Sequence, residues 1–234
     1  MTARSSGPDP AALRAVASLN DPARHALYLY VRSAAGPVTR EQAAAAVGLS
    51  RKVATFHLDR LVTAGLLVAE VDPATRHRPL GRLPKAYRPA PISLRVSIPD
   101  RRPLLLAEIL LDALNTTRPG QSARAACLRS AEQKGRQLAA PRARRSRASS
   151  STKRALAAAE TTLAAHGYEP IREAADCLRL RNCPFQPLAA QATEIVCAIN
   201  QRFITGMLDG LPAPGLRAAL EPGAGQCCVT VRAH

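Results

Sequence analysis

Between residues 38 and 67 the chain reads VTREQAAAAVGLSRKVATFHLDRLVTAGLL, and this stretch restricts the fold most tightly. Thr39 and Gln42 form the S/T-x-x-E/Q pair that caps a helix start, so a short helix begins there. Val47-Gly48-Leu49 reads as a turn, and Ser50 as the cap of a second helix, immediately before the basic pair Arg51-Lys52. Ala54, Leu58 and Leu61 recur at i, i+4 and i+7, the spacing of a buried helical stripe. Arg51, Lys52, Thr55, Phe56 and Arg60 lie off that stripe and are free to meet something else. Gly65 ends the helix where a left-handed residue costs least, and an apolar strand over residues 66–71 follows.

A second strand is predicted over residues 85–89. The connection between the strands, DPATRHRPLGRLP, holds Arg76, His77, Arg78 and Arg82, and Lys85 and Arg88 follow it. A β-ribbon tipped with arginine beside a helix suited to the major groove is a phosphate clamp. The charge distribution agrees. Of the net +16, residues 1–98 carry 14 Lys/Arg against 6 Asp/Glu and residues 99–155 carry 13 against 4, while residues 156–234 carry 6 against 7. A polyanion should therefore meet the front of the molecule.

His57, Leu58, Leu61, Ala64, Gly65 and Leu66 spell His-Leu-x-x-Leu-x-x-Ala-Gly-Leu, which resembles the winged helix-turn-helix repressors of the ArsR and MarR type. The resemblance implies double-stranded DNA as partner. It makes Thr39, Ser50, Arg51, Lys52, Thr55, Phe56, His57 and Arg60 candidate contacts of the helix-turn-helix, and Arg76, Arg78, Arg82 and Lys85 those of the wing.

The expected architecture is mainly α, of α+β class, in four parts. Residues 1–20 are disordered or weakly helical, and residues 21–90 form the winged helix, opened by the Asp21-Pro22 helix start. Residues 91–154 are a helical linker and dimerisation region with a basic, low-complexity loop at 141–154, and residues 155–234 form a small α+β sensor-like domain. The helix at 104–115, LLLAEILLDALN, is apolar almost all round, as a dimer or inter-domain helix would be. A homodimer suits DNA reading, because one recognition helix covers few base pairs. The N-terminus lacks a signal-peptide pattern and the run at 104–114 is too short to span a bilayer, so no membrane partner and a cytoplasmic location are expected.

Four of the six cysteines, Cys183, Cys197, Cys227 and Cys228, fall in the last 52 residues. In a reducing compartment these point to metal or redox chemistry rather than a structural disulfide set. The C-terminal pattern resembles the iron–sulfur-responsive repressors of the suf operon: an Asn-Cys-Pro turn at 182–184, a second cysteine thirteen residues on, and a third in the final strand. The resemblance implies an iron–sulfur cluster, with zinc as the alternative, on Cys183, Cys197 and one of Cys227 and Cys228. Adjacent residues of a strand point to opposite faces, so only one of that pair should reach the site. Cys177, the other vicinal cysteine, Glu194 and His166 are the candidates for a fourth ligand. Cys183 at a helix N-terminus would have its thiolate favoured.

These readings predict a DNA-binding transcriptional regulator, a repressor by resemblance, controlled by a metal or cluster in the C-terminal domain. A thiol-redox or small-ligand regulator without metal is the alternative, and buried cysteines that only pack are a further one. A cysteine-dependent enzyme would need a histidine base near its nucleophile. The last 80 residues supply only His166 and His234, so no enzyme is expected. A non-specific architectural DNA protein would have no use for the elaborated C-terminal module.

Overall fold

The computed structural model describes residues 9–71, 84–143, 151–211, 215–223 and 225–233. The chain divides into two compact units, one over residues 8–96 and one from residue 97 onward. Both mix helices with a small antiparallel sheet, so the class is α+β.

In the first unit, α1 (Pro10–Ser18) and α2 (Pro22–Ser33) each begin with an Asp-Pro step. Asp9 accepts from the amide of Ala11 and Asp21 from that of Arg24, both at 2.9 Å, while proline takes the first helical position where no donor is needed. The helix α1 contributes Ala15 to the core, so the packed unit starts before residue 21, where the sequence placed its boundary. Strand β1 (Val38–Thr39) leads into α3 (Arg40–Val47). Here the capping box forms as predicted: Thr39 Oγ1 accepts from the Gln42 amide at 3.2 Å, and Gln42 Oε1 accepts from the Thr39 amide at 2.8 Å. Gly48, at φ +70°, turns the chain into α4 (Arg51–Thr63), whose cap Ser50 accepts from the Val53 amide at 3.3 Å. Gly65, at φ +75°, releases the chain into β2 (Leu67–Val71). Strand β3 (Lys85–Pro89) pairs antiparallel with both β1 and β2, and Tyr87 stands opposite Val38 on one side and Ala69 on the other. Leu27, Val31, Ala54, Leu58, Leu61, Leu67 and Tyr87 close the core between helices and sheet.

The second unit begins with α5 (Pro103–Asn115) and α6 (Ala123–Ala143), followed by α7 (Thr152–Ala164). Strands β4 (Pro170–Ala174) and β5 (Cys177–Leu180) form a hairpin, and α8 (Leu188–Gln191) and α9 (Thr193–Asp209) follow. The sheet is completed by β6 (Leu216–Leu220) and β7 (Val229–Ala233), in the order β4-β5-β7-β6, antiparallel throughout. The two inner strands bury Leu178, Leu180, Val229 and Val231. Helix α9 lies along β6 and α7 against the β4–β5 hairpin.

The helical region expected to be a separate linker, up to residue 154, belongs to this unit. The reason is the α6–α9 contact, where glycines let the two backbones touch. A Cβ at Gly135 would run into the Phe203 carbonyl, and one at Gly206 into the Glu132 carbonyl. One expectation shifts here: the helix expected to follow Cys183 is broken at Ala192, which separates α8 from α9. Helix α5, apolar almost all round, buries Leu106, Ile109 and Ala113 and leaves Leu104, Leu111 and Leu114 exposed. Among the described residues, no helix is long and apolar enough to cross a membrane.

Candidate functional site

Two groups of residues carry chemistry, one in each unit. In the first, α4 turns Ala54, Leu58 and Leu61 inward and leaves Arg51, Lys52, Val53, Phe56 and Arg60 exposed. Phe56 keeps 54% of its surface in solvent, with the Arg60 guanidinium 5.3 Å from its ring centroid. An aromatic ring held out on a basic helix can meet a thymine methyl while its neighbours meet phosphates or guanine edges. Arg51 reaches back to Glu41 on α3 at 2.8 Å. Thr55 donates its hydroxyl to the Arg51 carbonyl at 2.7 Å, and the Thr39 and Ser50 hydroxyls serve as helix caps.

His57 is the exception in this set. Its side chain is largely buried and turned toward the start of α2, with Nδ1 3.9 Å from Asp21 Oδ1, instead of facing outward. The Asp21 carboxyl sits below its ordinary value, first through the Arg24 amide hydrogen bond and then through the nearby His57 and Arg24 charges. Lys85 lies 3.9 Å from Asp59, and Tyr87 donates to the same carboxylate at 3.3 Å. Burial, together with the Asp59 charge, pushes the Tyr87 hydroxyl up to about 12, so it remains a donor that roots β3 on α4. Arg76, Arg78 and Arg82 lie outside the described residues.

The second group converges on the entry to β7. Cys227 and Cys228 come just before that strand rather than inside it, so the alternation expected of strand residues does not apply. Both reach α9. Cys228 is joined to Cys197 as a disulfide, with Cα atoms 6.3 Å apart. Cys227 is buried against Cys183 and Asn200, one turn beyond Cys197 on the same helix. The Asn200 amide donates to the Cys227 sulfur at 3.2 Å and stands 4.0 Å from the Cys183 sulfur. Its oxygen accepts from the buried Tyr168 hydroxyl, which orients the amide nitrogen toward the sulfurs.

Cys183 sits in the β5–α8 loop and not at a helix N-terminus, because α8 begins only at Leu188. The helix-dipole argument therefore falls, and local donors replace it. The hydrogen bond with Cys227 draws the Cys183 thiol below its ordinary value. Burial opposes this, while the backbone amides of Phe185 and Gln186 and the Arg101 charge assist. The same hydrogen bond, with burial, pushes Cys227 up.

The structure thus brings Cys183, Cys197, Cys227 and Cys228 together, but as two pairs. Among the described residues, no three His, Cys, Asp or Glu side chains are arranged to hold a metal ion. The other candidates for a fourth ligand have partners of their own. Cys177 stands opposite Arg232 on β7 and donates to Glu173 at 3.7 Å. Glu194 points outward to Arg124 at 3.1 Å, and His166 Nδ1 lies 2.8 Å from the Thr162 carbonyl. The sequence marks Asn182 only as part of the Asn-Cys-Pro turn, and gives no sign of Asn200, Tyr168 and Arg101. A buried Asn182 beside Cys183 and an Asn one turn after Cys197 carry no periodic signal, and only their packing reveals them. No protein-family model, curated protein or solved structure matches the chain.

Proposed function

We propose that the chain is a sequence-specific, double-stranded-DNA-binding transcriptional regulator built on a winged helix-turn-helix, acting in the cytoplasm as a homodimer without enzymatic activity of its own. The observation that carries this reading is the division of α4 into a buried apolar stripe and an exposed Arg51–Lys52–Phe56–Arg60 face. The two-helix frame that presents that face is itself fixed by the Thr39 and Ser50 caps. Arg51 and Lys52 at the start of α4 approach base edges and phosphates, and Phe56 supplies apolar contact. The outward leucines of α5, Leu104, Leu111 and Leu114, offer a self-complementary stripe for a second copy. Two copies match two half-sites.

The cysteine group is the input. The four sulfurs lie near one strand entry as two pairs, and a soft metal or an iron–sulfur cluster would need the Cys197–Cys228 bond reduced and the pairs drawn together, because thiolate is the ligand such groups require. Cys183, Cys197, Cys227 and Cys228 would then hold it. When bound, a cluster would supply sensitivity to oxidants and to iron supply; zinc would supply a structural clasp. The disulfide favours a second reading, in which opening and closing of the Cys197–Cys228 bond is itself the signal. Under either reading operator affinity follows from linkage, since an input can shift DNA binding only by preferring one arrangement of the protein.

One preparation tests both parts. Protein purified anaerobically and reduced is assayed for iron, sulfide and zinc and by visible absorption, then titrated with operator DNA and with scrambled competitor. A cluster or zinc bound stoichiometrically supports the metal input, while a colourless, metal-free protein leaves the disulfide reading. Replacing Arg51 and Lys52 together with Ala is expected to abolish discrimination between operator and scrambled DNA while the circular dichroism is unchanged. Specific binding that survives the double substitution rules out the docking through α4.

A further inference from the structure

Cys183 is tied into the molecule twice. Its side chain belongs to the buried group with Cys227 and Asn200, and its backbone neighbourhood is stitched to the segment that precedes α5. Three consecutive residues of one segment meet three of the other. Asn182 donates to the Asp100 carbonyl at 2.8 Å and to the Gly167 carbonyl at 2.6 Å. Arg101 donates to Asn182 Oδ1 and, at 2.8 Å, to the Cys183 carbonyl. The Arg102 amide donates to the Pro184 carbonyl at 2.7 Å. Arg102 in turn pairs with Asp100 at 2.9 Å and donates to the Ala165 carbonyl at 3.2 Å.

Asn182 is only 4% exposed, with its amide nitrogen donating twice and its oxygen accepting from Arg101. A guanidinium spent on a side-chain oxygen and a backbone carbonyl gives charge-assisted bonds, stronger than the neutral ones around them. The Cys183 loop therefore cannot shift its backbone without releasing or dragging residues 100–102. These residues follow within a few positions of the end of the 8–96 unit, so they stand in the covalent path between the two units.

We propose that residues 100–102 form an output strap for the cysteine group: a change of state at Cys183 is passed through Asn182, Arg101 and the Arg102–Pro184 bond to the segment joining the two units. The proposal rests on the cysteine group being the regulatory input. It requires only that bistable contacts lie between the site and the joining segment, which is the physical condition for coupling. Stitching that served stability alone would leave the strap indifferent to the sulfur.

Amide hydrogen exchange on the full-length chain tests the strap without DNA. In Cys183→Ala, exchange at Arg102 is expected to rise by about tenfold or more over the wild-type protein, while α6 and α9 amides stay protected. Unchanged protection at Arg102 in that variant overturns the proposal. If Cys183→Ala does not fold, Cys183→Ser gives the same reading with the same criterion. DNA titrations supply the second arm. Arg101→Ala is expected to bind operator but to lose the difference in affinity between reduced and oxidised protein. A wild-type-sized difference in Arg101→Ala overturns the strap. Wild-type protein whose DNA affinity ignores the cysteine state overturns the functional reading instead, and the exchange result still judges the strap.

Discussion

At the scale of single residues, the same amino-acid type does different work according to what it faces. Arg51 and Arg60 begin and end one exposed helix face, yet Arg51 is already paired, 2.8 Å from Glu41. That pair is exposed, so it contributes little to stability, and under the proposed function a phosphate would compete with Glu41 for the guanidinium. Glu41→Gln is expected to tighten DNA binding several-fold and to steepen its dependence on salt, because one more cation becomes available to release counterions. Filter-binding titrations over a range of salt concentrations measure both. Unchanged affinity would show that Arg51 keeps its partner on DNA. His57 was legible as part of a motif but not in its orientation. Its place in HLDRL says that it is on α4, whereas only the approach of α2 puts Asp21 beside it. Asn200 was not legible at all, since a lone polar residue in a helix says nothing about which sulfurs it will meet.

At the scale of elements, local chemistry accounts for most helix starts and stops. Aspartate before proline opens α1 and α2, the Thr39–Gln42 box opens α3, Ser50 opens α4, and glycines at positive φ follow α3 and α4. Such signals are legible because each involves residues within four positions of one another. The α6–α9 pair is governed by contact instead. Gly135 and Gly206 are needed because the partner's backbone occupies the place of a Cβ, although each lies within a helix where glycine costs about 1 kcal/mol relative to alanine. Gly206→Ala therefore should not raise stability as helix propensity alone suggests. It is expected to lower it by about 1–3 kcal/mol through overpacking, seen as a lower urea midpoint, and Gly135→Ala should do the same. A rise in the midpoint would mean that the helices can separate without loss.

At the scale of the whole molecule, the outward stripe of α5 is an apolar face that a single copy leaves uncovered. Leu104, Leu111 and Leu114 are 58%, 58% and 72% exposed, on a helix whose other face is already buried. Glu108 lies on this outward side and is paired with Lys134 at 2.8 Å, which lowers the cost of bringing two such faces together. If the stripe joins two copies, Leu111→Glu with Leu114→Glu converts a dimer to a monomer by light scattering. It also weakens operator binding at least about tenfold, while the inner core of Leu106 and Ile109 is left intact. A double variant that stays dimeric would place the interface elsewhere.

Local sequence accounts for where α3 and α4 begin and end, which face of α4 is apolar, and the crowding of four cysteines in the C-terminal region. Each follows from spacings of a few residues, where the backbone's own geometry sets the answer. The tertiary structure alone decided how those cysteines are shared out. Spacing along the chain suggested one site with three ligands, whereas folding pairs Cys197 with Cys228 and Cys183 with Cys227. Both residues of the vicinal pair reach α9 because they precede β7 and escape its alternation. The same packing binds residues 182–184 to residues 100–102 across some eighty positions of sequence. Contacts so distant in the chain depend on how the sheet and helices close around one another, and no local pattern encodes that.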